Sequence, residues 1–486
     1  MEILFKNATV VTMDENTPVL ENTDVGVING KLRVFNEAGA TQSPEGGVPA
    51  REYSASDECR DSPFEAKPTT SPDTPARVID CTNKVLMPGL YNCHTHAGMT
   101  LFRGFANDRT LEDWLFNHLI PAEAKLTPAL VRVGTQLAMA EMLASGTVAF
   151  SDMYCYMDEV ARAVREAGML ANICNGVIAM GDDGDYFKTN EFSQTYCALE
   201  EMRGEVQSVS GGTSAGSGAG GVGNADTTST ANNRVIIDAA IHGCYTSNPT
   251  VWRQVAEYAR ENNLRMHVHL SETKHEHESC IKTHGATPAA VFAANGVFDA
   301  PCTAAHGVWA TDEDIAILAE KGVTVVHNPL SNLKLASGLA PVAAMLKGGV
   351  NVALGTDGMA SNNSHDLFEE LKMASLLQKY ATQDPTAVPA FDTLRMATIN
   401  GARAQGRKNS GMIKDGFDAD VILLDFNTPR QTMCYSPLLN LAYSTSGRDV
   451  EMTVVNGKVL YEKGEFFTID VEKVMYEARK AKEIFI

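Results

Sequence analysis

A repeated unit constrains the fold more than any other feature of this chain: a short apolar run ends in a polar residue, and a helical pattern follows. The runs are LRMHVHLSE at 264–272, TAAH at 303–306 and VNVALGTD at 350–357. Helical patterns lie at 250–262 and 311–321. Strands that alternate with helices predict a parallel sheet of the α/β class. In α/β barrels the chemistry lies at the carboxyl ends of the strands. We therefore expect the polar residues that end these runs to be functional.

The two ends of the chain have a different pattern. Alternating apolar and polar residues at 3–12, 419–425 and 452–461 predict short strands. Asn-Gly pairs at 29–30 and 456–457 predict tight hairpin turns. The length of 486 residues fits one α/β barrel with a smaller appended domain.

Two segments have too little apolar surface to form a packed structure. Residues 38–78 are rich in Pro, Ser, Glu and Asp, which predicts a mobile surface loop inserted in the β domain. Residues 210–233 are nearly all Gly, Ser, Thr, Ala or Asn, which predicts a flexible linker within an insert that spans 203–233. A Gly-rich phosphate cradle is the alternative, but the Gly-Lys-Ser/Thr ending and the preceding strand of such a motif are missing.

Charge and cysteine content limit the partners and the compartment. The net charge of −20 argues against nucleic acid and anionic membranes, and it favours an uncharged or cationic small molecule. The ten cysteines include no Cys-x-x-Cys pair, and those in or beside apolar stretches are typical of reduced, buried thiols: Cys93, Cys174, Cys244 and Cys302. With no export signal and no long apolar span in the sequence, we expect a cytoplasmic protein.

His94 and His96 are the first indication of a metal site. They end an apolar run with a spacing of two, so on a strand both rings point to the same side and can bind one ion. A pair of histidines on a strand is often only a polar face, but further ligand types follow in order. His267 and His269 have the same parity, so their spacing does not choose between them. Asp357 ends an apolar strand, where its alternative role is to cap the next helix.

These segments resemble the amidohydrolase superfamily, in its mononuclear branch of nucleoside and heterocycle deaminases, and most closely the 5-methylthioadenosine/S-adenosylhomocysteine deaminase family. The likeness covers most of the chain, without counterparts for 38–78 and 203–233. Its motifs are PGLYNCHTHA at 88–97, MTLFRG at 99–104, HNPLSNLKL at 327–335 and LGTDGMASNN at 354–363. The resemblance implies a (β/α)8 TIM-like barrel over residues 88–408. It also implies a small β-sandwich domain formed from both chain ends, 1–87 and 409–486, with a terminal helix.

The resemblance also implies the ligand set. His94, His96, His269 and Asp357 hold one divalent ion, with water as a further ligand, while His267 packs behind them. Imidazoles and a carboxylate suit zinc, iron or manganese, and the resemblance selects zinc. A metal ion of this kind lowers the pKa of water from about 15.7 toward about 7.

Three catalytic roles follow from the same resemblance. Glu272 protonates a ring nitrogen of the substrate and carries the proton taken from water, which requires a raised pKa. His306 orients the attacking water and stabilises the tetrahedral intermediate. Asp357 takes part in catalysis as well as in metal binding. The alternative for Glu272 is a carboxylate that stabilises the next helix at its N-terminus.

The resemblance also implies substrate contacts. Glu123 matches a residue that binds the ribose hydroxyls, Trp114 an aromatic wall of the pocket, and His242 a nucleoside contact. Glu123 on a solvated helix and Trp114 in an ordinary core are the alternatives. Asn175 and a residue near Tyr186 stand where relatives that accept S-adenosylhomocysteine have arginines, which predicts a neutral 5′ group on the substrate.

We therefore expect a metal-dependent hydrolytic deaminase that converts adenine nucleosides to inosine derivatives and ammonia. An aminohydrolase or chlorohydrolase of guanine, cytosine, a pterin or an s-triazine is the first alternative, and Glu123 discriminates against it because a bare base has no diol. A catalytically dead scaffold is the second, although every expected ligand and the proton carrier are present. The charged run 274–278 suggests either a second metal site or, by preference, a solvated face. As partners we expect a small-molecule nucleoside and further copies of the chain in a homo-oligomer.

Overall fold

A computed structural model describes residues 3–35, 77–105, 107–109, 113–181, 184–210 and 234–485. The loop expected at 38–78 lies outside the described residues except for its last two, which begin a strand. Most of the insert expected at 203–233 also lies outside them. A helix extends to Ser210, so the first part of that segment is helical.

The described strands are β1 (Ile3–Val11), β2 (Val19–Ile28), β3 (Lys31–Phe35), β4 (Arg77–Asp80), β5 (Lys84–Pro88), β6 (Leu90–His96), β7 (Thr147–Met153), β8 (Leu170–Cys174), β9 (Val235–Ile237), β10 (Ala239–Ile241), β11 (Met266–Leu270), β12 (Cys302–His306), β13 (Thr324–His327), β14 (Asn351–Leu354), β15 (Asp357–Gly358), β16 (Val421–Asp425), β17 (Val450–Val455), β18 (Lys458–Glu462) and β19 (Glu465–Phe466).

The described helices are α1 (Ile120–Glu123), α2 (Pro128–Ala144), α3 (Met157–Ala167), α4 (Asn190–Ser210), α5 (Pro249–Glu261), α6 (Lys274–His284), α7 (Pro288–Ala294), α8 (Asp312–Glu320), α9 (Pro329–Lys334), α10 (Val342–Lys347), α11 (Leu367–Thr382), α12 (Ala390–Ala397), α13 (Ile399–Ala404), α14 (Pro437–Tyr443) and α15 (Val471–Phe485). Short 3-10 turns cover Ala97–Phe102, Tyr186–Lys188, Val297–Asp299 and Gly447–Asp449, and a π-helix covers Asp113–Leu119.

Both chain ends contribute to one sheet, which has nine strands within the described residues. Its order is β19-β18-β17-β16-β5-β1-β2-β3, with β4 beside β1. Leu86 of β5 pairs with Val10 on one side and with Leu423 on the other, so the N-terminal and C-terminal strands meet there. All three side chains belong to one buried apolar cluster. Burial of these residues joins two segments that are far apart in the sequence.

The two Asn-Gly turns are confirmed. Asn29 and Gly30 have φ of 51° and 74°, and Asn456 and Gly457 have φ of 47° and 74°. These left-handed conformations are those that two-residue hairpin loops require. The backbone of Ala419 connects the two turns, because its N–H donates to the Gly30 carbonyl and its carbonyl accepts from Gly457, each at 2.9 Å.

Two parallel sheets carry the middle of the chain. Their orders are β10-β11-β12-β13-β14 and β15-β6-β7-β8-β9. Asp238 alone separates β9 from β10, and two residues separate β14 from β15. The register aligns Leu270 with His306 and aligns Gly358 with His96. Because the strands are parallel, their carboxyl ends share one edge, and that edge collects the polar residues of the sequence motifs.

Helices follow the strands as the sequence patterns indicate. The helix expected at 250–262 is α5, and the one expected at 311–321 is α8. The Asn248 side chain accepts from the first backbone N–H groups of α5. Thr311 and Asp314 form a reciprocal capping box at the start of α8. These caps satisfy N–H groups that would otherwise lack partners at each helix start.

The thiols expected to be buried are buried and free: Cys93, Cys174, Cys244 and Cys302. Among the helices that the structure describes, none has the length and apolar character needed to cross a membrane.

Candidate metal centre and active site

Imidazoles and a carboxylate converge where the parallel strands end. His94 and His96 at the end of β6 and Asp357 at the start of β15 place one ligand atom each within 4.8 Å of one another. His94 forms a second group of the same size with His269 of β11 and His306 of β12. The structure therefore brings together the four residues expected as metal ligands, and it adds His306 to the cluster.

Backbone carbonyls orient two of these imidazoles. Nδ1 of His96 lies 2.6 Å from the carbonyl of Met153, and Nδ1 of His269 lies 2.7 Å from the carbonyl of His242. A carbonyl only accepts, so each ring donates from Nδ1 and turns its Nε2 toward the cluster. Nε2 of His96 lies 3.2 Å from Asp357 Oδ1, at the centre of the cluster. Both rings are thus oriented with Nε2 directed at the centre of the cluster.

His94 is held by another histidine. Its Nδ1 lies 2.9 Å from Nε2 of His267, which is buried behind it. The spacing of His267 and His269 did not show which of the two faces the metal site. In the structure His269 reaches the cluster, and His267 contacts His94. Nε2 of His94 is buried, and among the described residues it has no hydrogen-bond partner. Burial lowers the pKa of His94 to about 4, so the ring is neutral, and its unpartnered Nε2 is placed to bind a cation.

Asp357 is fixed by two serines. Ser331 and Ser361 donate to its Oδ2 at 2.6 and 3.0 Å, while its Oδ1 faces the imidazoles. Burial alone would raise the pKa of Asp357, but the imidazoles of His94 and His96 hold it well below its ordinary value. The group is therefore a carboxylate with one oxygen directed at the cluster. The serines were not expected, although both lie within motifs that carried the resemblance.

Three residues at the strand ends have left-handed backbone. Ser271, His306 and Asp357 have φ of 47°, 75° and 61°. Such conformations cost of order 1–3 kcal/mol each for residues other than glycine, and they are typical of functional sites. Gly358 is required for a different reason: a Cβ there would lie 3.2 Å from Cδ2 of His96. The backbone is thus bent and closely packed where the ligand atoms meet.

Glu272 follows β11 and lies beside this cluster. Its Oε2 is 3.8 Å from Nε2 of His306, and its side chain is 12% exposed. Burial raises the pKa of Glu272, with a contribution from Asp357, although His306 opposes the shift. Nδ1 of His306 lies 2.8 Å from Oδ1 of Asn332, which fixes the ring. A carboxyl group with a raised pKa beside a metal site suits general acid/base work.

Glu123 lies close to the clustered histidines. Tyr154 donates from Oη to Glu123 Oε1 at 2.6 Å, and the Tyr154 ring lies 6.2 Å from the His96 ring. Burial raises the pKa of Glu123, although the hydrogen bond from Tyr154 opposes the shift. Tyr154 was not expected from the sequence, because it has no motif of its own.

His242 and Asn175 lie at neighbouring strand ends. The His242 ring is 4.8 Å from the His269 ring, between ring centres, and its Nδ1 lies 3.2 Å from Thr246 Oγ1. Asn175 is half-buried and directly follows β8. A Cβ on the next residue, Gly176, would lie 3.1 Å from Cα of His242. His242 is thus close to His269, and Asn175 lies at the strand end next to His242.

Trp114 and a residue near Tyr186 are the remaining positions at which the sequence predicts substrate contacts. Trp114 belongs to the π-helix Asp113–Leu119, but its side chain lies outside what the structure describes. Tyr186 is buried, with its ring 5.2 Å from Phe192 and 5.9 Å from Tyr258. Tyr186 itself therefore packs in an aromatic core and does not face a ligand.

The charged run at 274–278 is only partly a solvated face. Lys274 and Glu278 are exposed and lie 3.6 Å apart. Glu276 and His277 are buried, which contradicts the expectation for these two residues. The sequence pattern missed this because the backbone N–H groups that satisfy the Glu276 carboxylate come from outside the run. Among the described residues, the candidate metal groups include no member of this run.

The comparison with protein families decides the classification. The model of the amidohydrolase family matches residues 85–460. The chain belongs to this family. The matched region contains both parallel sheets and all the clustered histidines.

Individual amidohydrolases are similar over nearly the whole chain. A 5-methylthioadenosine/S-adenosylhomocysteine deaminase of Dictyoglomus thermophilum is 44% identical over 405 residues, which cover 83% of this chain and 88% of the relative. A 5′-deoxyadenosine deaminase of Methanosarcina barkeri is 39% identical over 482 residues, 99% of this chain and 98% of the relative. The crystal structure of an adenosine deaminase from Xanthomonas campestris with bound zinc is 29% identical, with a TM-score of 0.81 over 99% of this chain and 98% of that one.

These similarities show that this amidohydrolase has a TIM-barrel-like α/β fold. Its clustered residues fit a divalent metal ion. Imidazoles are held with Nε2 toward the centre, a carboxylate oxygen faces them, and one buried nitrogen lacks any other partner among the described residues. This set of donors is typical of a catalytic site in which one position is left for water.

Proposed function

We propose that this amidohydrolase is a zinc-dependent deaminase of adenine nucleosides. It converts 5′-methylthioadenosine, 5′-deoxyadenosine and adenosine to the corresponding inosine derivatives and ammonia, with S-adenosylhomocysteine as a less favoured substrate. Relatives named 5-methylthioadenosine/S-adenosylhomocysteine deaminase and 5′-deoxyadenosine deaminase support this choice. The zinc-bound structure of a similar adenosine deaminase supports the metal.

One observation carries the proposal: two carboxylates lie beside the same cluster of ligands. Glu272 lies beside His306, and Glu123 is connected by Tyr154 to His96. A heterocyclic base needs one acid/base group at its ring. A ribose diol needs, in addition, an acceptor at some distance from the reacting carbon, and Glu123 supplies it.

The metal ion supplies Lewis acidity, which makes water acidic enough to act as a nucleophile near neutral pH. His94, His96, His269 and Asp357 hold the ion. Their orientation is set before substrate arrives by the contacts described above.

Glu272 moves the proton. As a carboxylate it takes one from the attacking water, and as a carboxylic acid it delivers it to N1 of the purine, so that oxygen is added at C6. The remaining proton of the added hydroxyl then passes to the C6 amino group, the C6–N bond breaks, and ammonia leaves as the C6 carbonyl of the inosine product forms. Burial alone would lower the pKa of His306, but Glu272 and Asp357 raise it, so the ring can donate from Nε2 toward the reacting oxygen.

Glu123, His242, Asn175 and Trp114 bind the substrate. Glu123 accepts from the ribose hydroxyls, and His242 contacts the nucleoside beside His269. Asn175, a neutral residue at the end of β8, suits a 5′ group without a carboxylate.

A substrate panel tests the proposal. The zinc-loaded protein is given adenosine, 5′-deoxyadenosine, 5′-methylthioadenosine, S-adenosylhomocysteine and guanine, and kcat/KM is measured from ammonia release and the purine absorbance. We expect the adenine nucleosides with neutral 5′ groups to have the highest values. Turnover of guanine in preference to every adenine nucleoside would instead support the alternative heterocycle hydrolase.

We further propose that the two parallel sheets form one closed (β/α)8 barrel over residues 88–408. The short breaks at Asp238 and at 355–356, which divide two otherwise continuous strands, support this closure. The nine-stranded sheet then belongs to a β-sandwich domain built from 1–87 and 409–486. We also propose that the protein forms a homo-oligomer and is located in the cytoplasm. The free cysteines among the described residues support the cytoplasmic location.

A further inference from the structure

Glu276 makes an unusual contact at the start of α6. Thr273 caps this helix and accepts from the N–H of Glu276 at 3.1 Å. In a capping box the acidic residue at this position would turn back to the N–H of the cap itself. Glu276 instead reaches further back, accepting from the N–H of Glu272 at 2.7 Å and from that of Ser271 at 3.2 Å. One buried carboxylate, 4% exposed, thus holds two successive peptide groups.

Those peptide groups link β11, which carries His269, to the acid/base residue Glu272. Ser271 is in the left-handed region at φ 47°, so the chain turns sharply there. Its carbonyl accepts from the N–H of Trp309 at 3.0 Å, and its Oγ lies 3.2 Å from Nδ1 of His277. The Ser271–Glu272 segment is therefore held by its two N–H groups and by the carbonyl and side chain of Ser271. Glu276 accepts from both N–H groups.

We propose that Glu276 is a positioning residue for deamination: by holding the peptide groups of Ser271 and Glu272, it aims the Glu272 carboxylate at the reacting ring. This inference rests on the proposed role of Glu272 in proton transfer. Catalysis depends on such placement, because a shift of about 1 Å in a reacting group can reduce the rate about 10²-fold. Glu276 touches neither the ligand cluster nor the substrate in this account.

Single substitutions separate positioning from a general structural role. We expect Glu276→Ala to lower kcat on the order of 10²-fold with KM and bound zinc nearly unchanged. Glu276→Gln retains one acceptor oxygen, and we expect a smaller loss, between about 3-fold and about 10-fold. The matched control is Glu278→Ala, because Glu278 lies on the same helix and is exposed. A kcat of Glu276→Ala within about 3-fold of the unmodified protein, with only a lowered Tm, would overturn the positioning role.

A double-substitution cycle tests whether Glu276 acts through Glu272. In the Glu272→Gln background, Glu276→Ala should cause almost no further loss of kcat, because there is no proton carrier left to aim. Fully additive losses would contradict the inference. If Glu276→Ala does not fold, the same cycle is run with Glu276→Gln, for which a kcat equal to that of the unmodified protein overturns the proposal.

The cycle also separates this inference from the proposed function. A fully active Glu272→Gln variant would remove Glu272 from the mechanism, and both proposals would fail. An inactive Glu272→Gln variant together with a fully active Glu276→Ala variant would leave the deaminase proposal intact and refute only the positioning role.

Discussion

Tyr154 donates a 2.6 Å hydrogen bond to Glu123, and its ring lies 6.2 Å from that of His96. One side chain thus connects the expected ribose contact to the expected metal ligands. The two sites are far apart in the sequence, on α1 and β6, and β7 brings Tyr154 between them. The distance between the reacting ring and the ribose acceptor is therefore set by the fold.

The Tyr154–Glu123 hydrogen bond should matter only for substrates with ribose hydroxyls. We expect Tyr154→Phe to raise KM for adenosine about 10-fold, which corresponds to about 1.4 kcal/mol, the scale of one hydrogen bond to a charged group. KM for 2′,3′-dideoxyadenosine should change little. Tyr156→Phe is the control, since Tyr156 donates to a backbone carbonyl instead. Equal losses with both substrates would show that Tyr154 has no specific connection to the diol.

Glu272 should be needed for turnover and not for metal binding. We expect Glu272→Gln to retain zinc and to lose kcat by at least about 10²-fold, because general acid/base catalysis contributes about 10² to 10⁴. Steady-state kinetics and metal analysis on the same preparation measure both quantities. If the variant retains its activity, proton transfer must be assigned to another residue.

The sequence predicted those parts of the site that local pattern determines. His94, His96 and Asp357 end apolar runs, and parallel strands bring such ends together without further information. Tyr154 and Ser331 were not predictable in this way, because their partners are distant in the sequence and packing decides where their hydroxyls point. The arrangement of the strands in the sheets was not predictable either, because periodicity along the sequence does not show which strands pair with each other.

The charged run 274–278 illustrates why a prediction from sequence pattern alone was wrong. Alternating charge at a helix start normally indicates a solvated surface. Glu276 is nevertheless buried, because two backbone N–H groups offset the cost of removing a carboxylate from water. Such compensation comes from the turn at Ser271, whose left-handed conformation has no sequence pattern.

Glu370 should make stability depend on pH. It accepts from the N–H of Leu330 and from the Asn362 side chain, and burial raises its pKa to about 8 from an ordinary value of 4.5. The folded state therefore binds the proton more tightly than the unfolded chain. This contribution to stability is complete below about pH 4.5 and is lost as the pH rises through about 8.

We accordingly expect Tm to fall between about pH 5 and about pH 8 more steeply in the unmodified protein than in Glu370→Gln. Glu369→Gln is the control, because Glu369 is the exposed neighbour. Parallel dependence of Tm on pH in the unmodified protein and Glu370→Gln would mean that Glu370 does not retain a proton on folding.

Asn175 should disfavour a charged 5′ tail. We expect kcat/KM for 5′-deoxyadenosine to exceed that for S-adenosylhomocysteine by about 10-fold, or about 1.4 kcal/mol, because the carboxylate of the longer tail gains no charged partner at this position. Asn175→Arg should narrow the difference, whereas Asn175→Gln, which is longer but neutral, should not. A preference of the unmodified protein for S-adenosylhomocysteine would contradict the assignment of Asn175 to the tail.

Metal titration of the deaminase reaction tests the central claim most directly. Protein freed of metal by a chelator is titrated with zinc, and ammonia release from 5′-deoxyadenosine is measured at each step. We predict no turnover without metal, a linear rise that ends at one zinc per chain, and one ammonia per nucleoside converted. Full activity in the metal-free protein, or no ammonia from any adenine nucleoside at full zinc occupancy, would contradict the account.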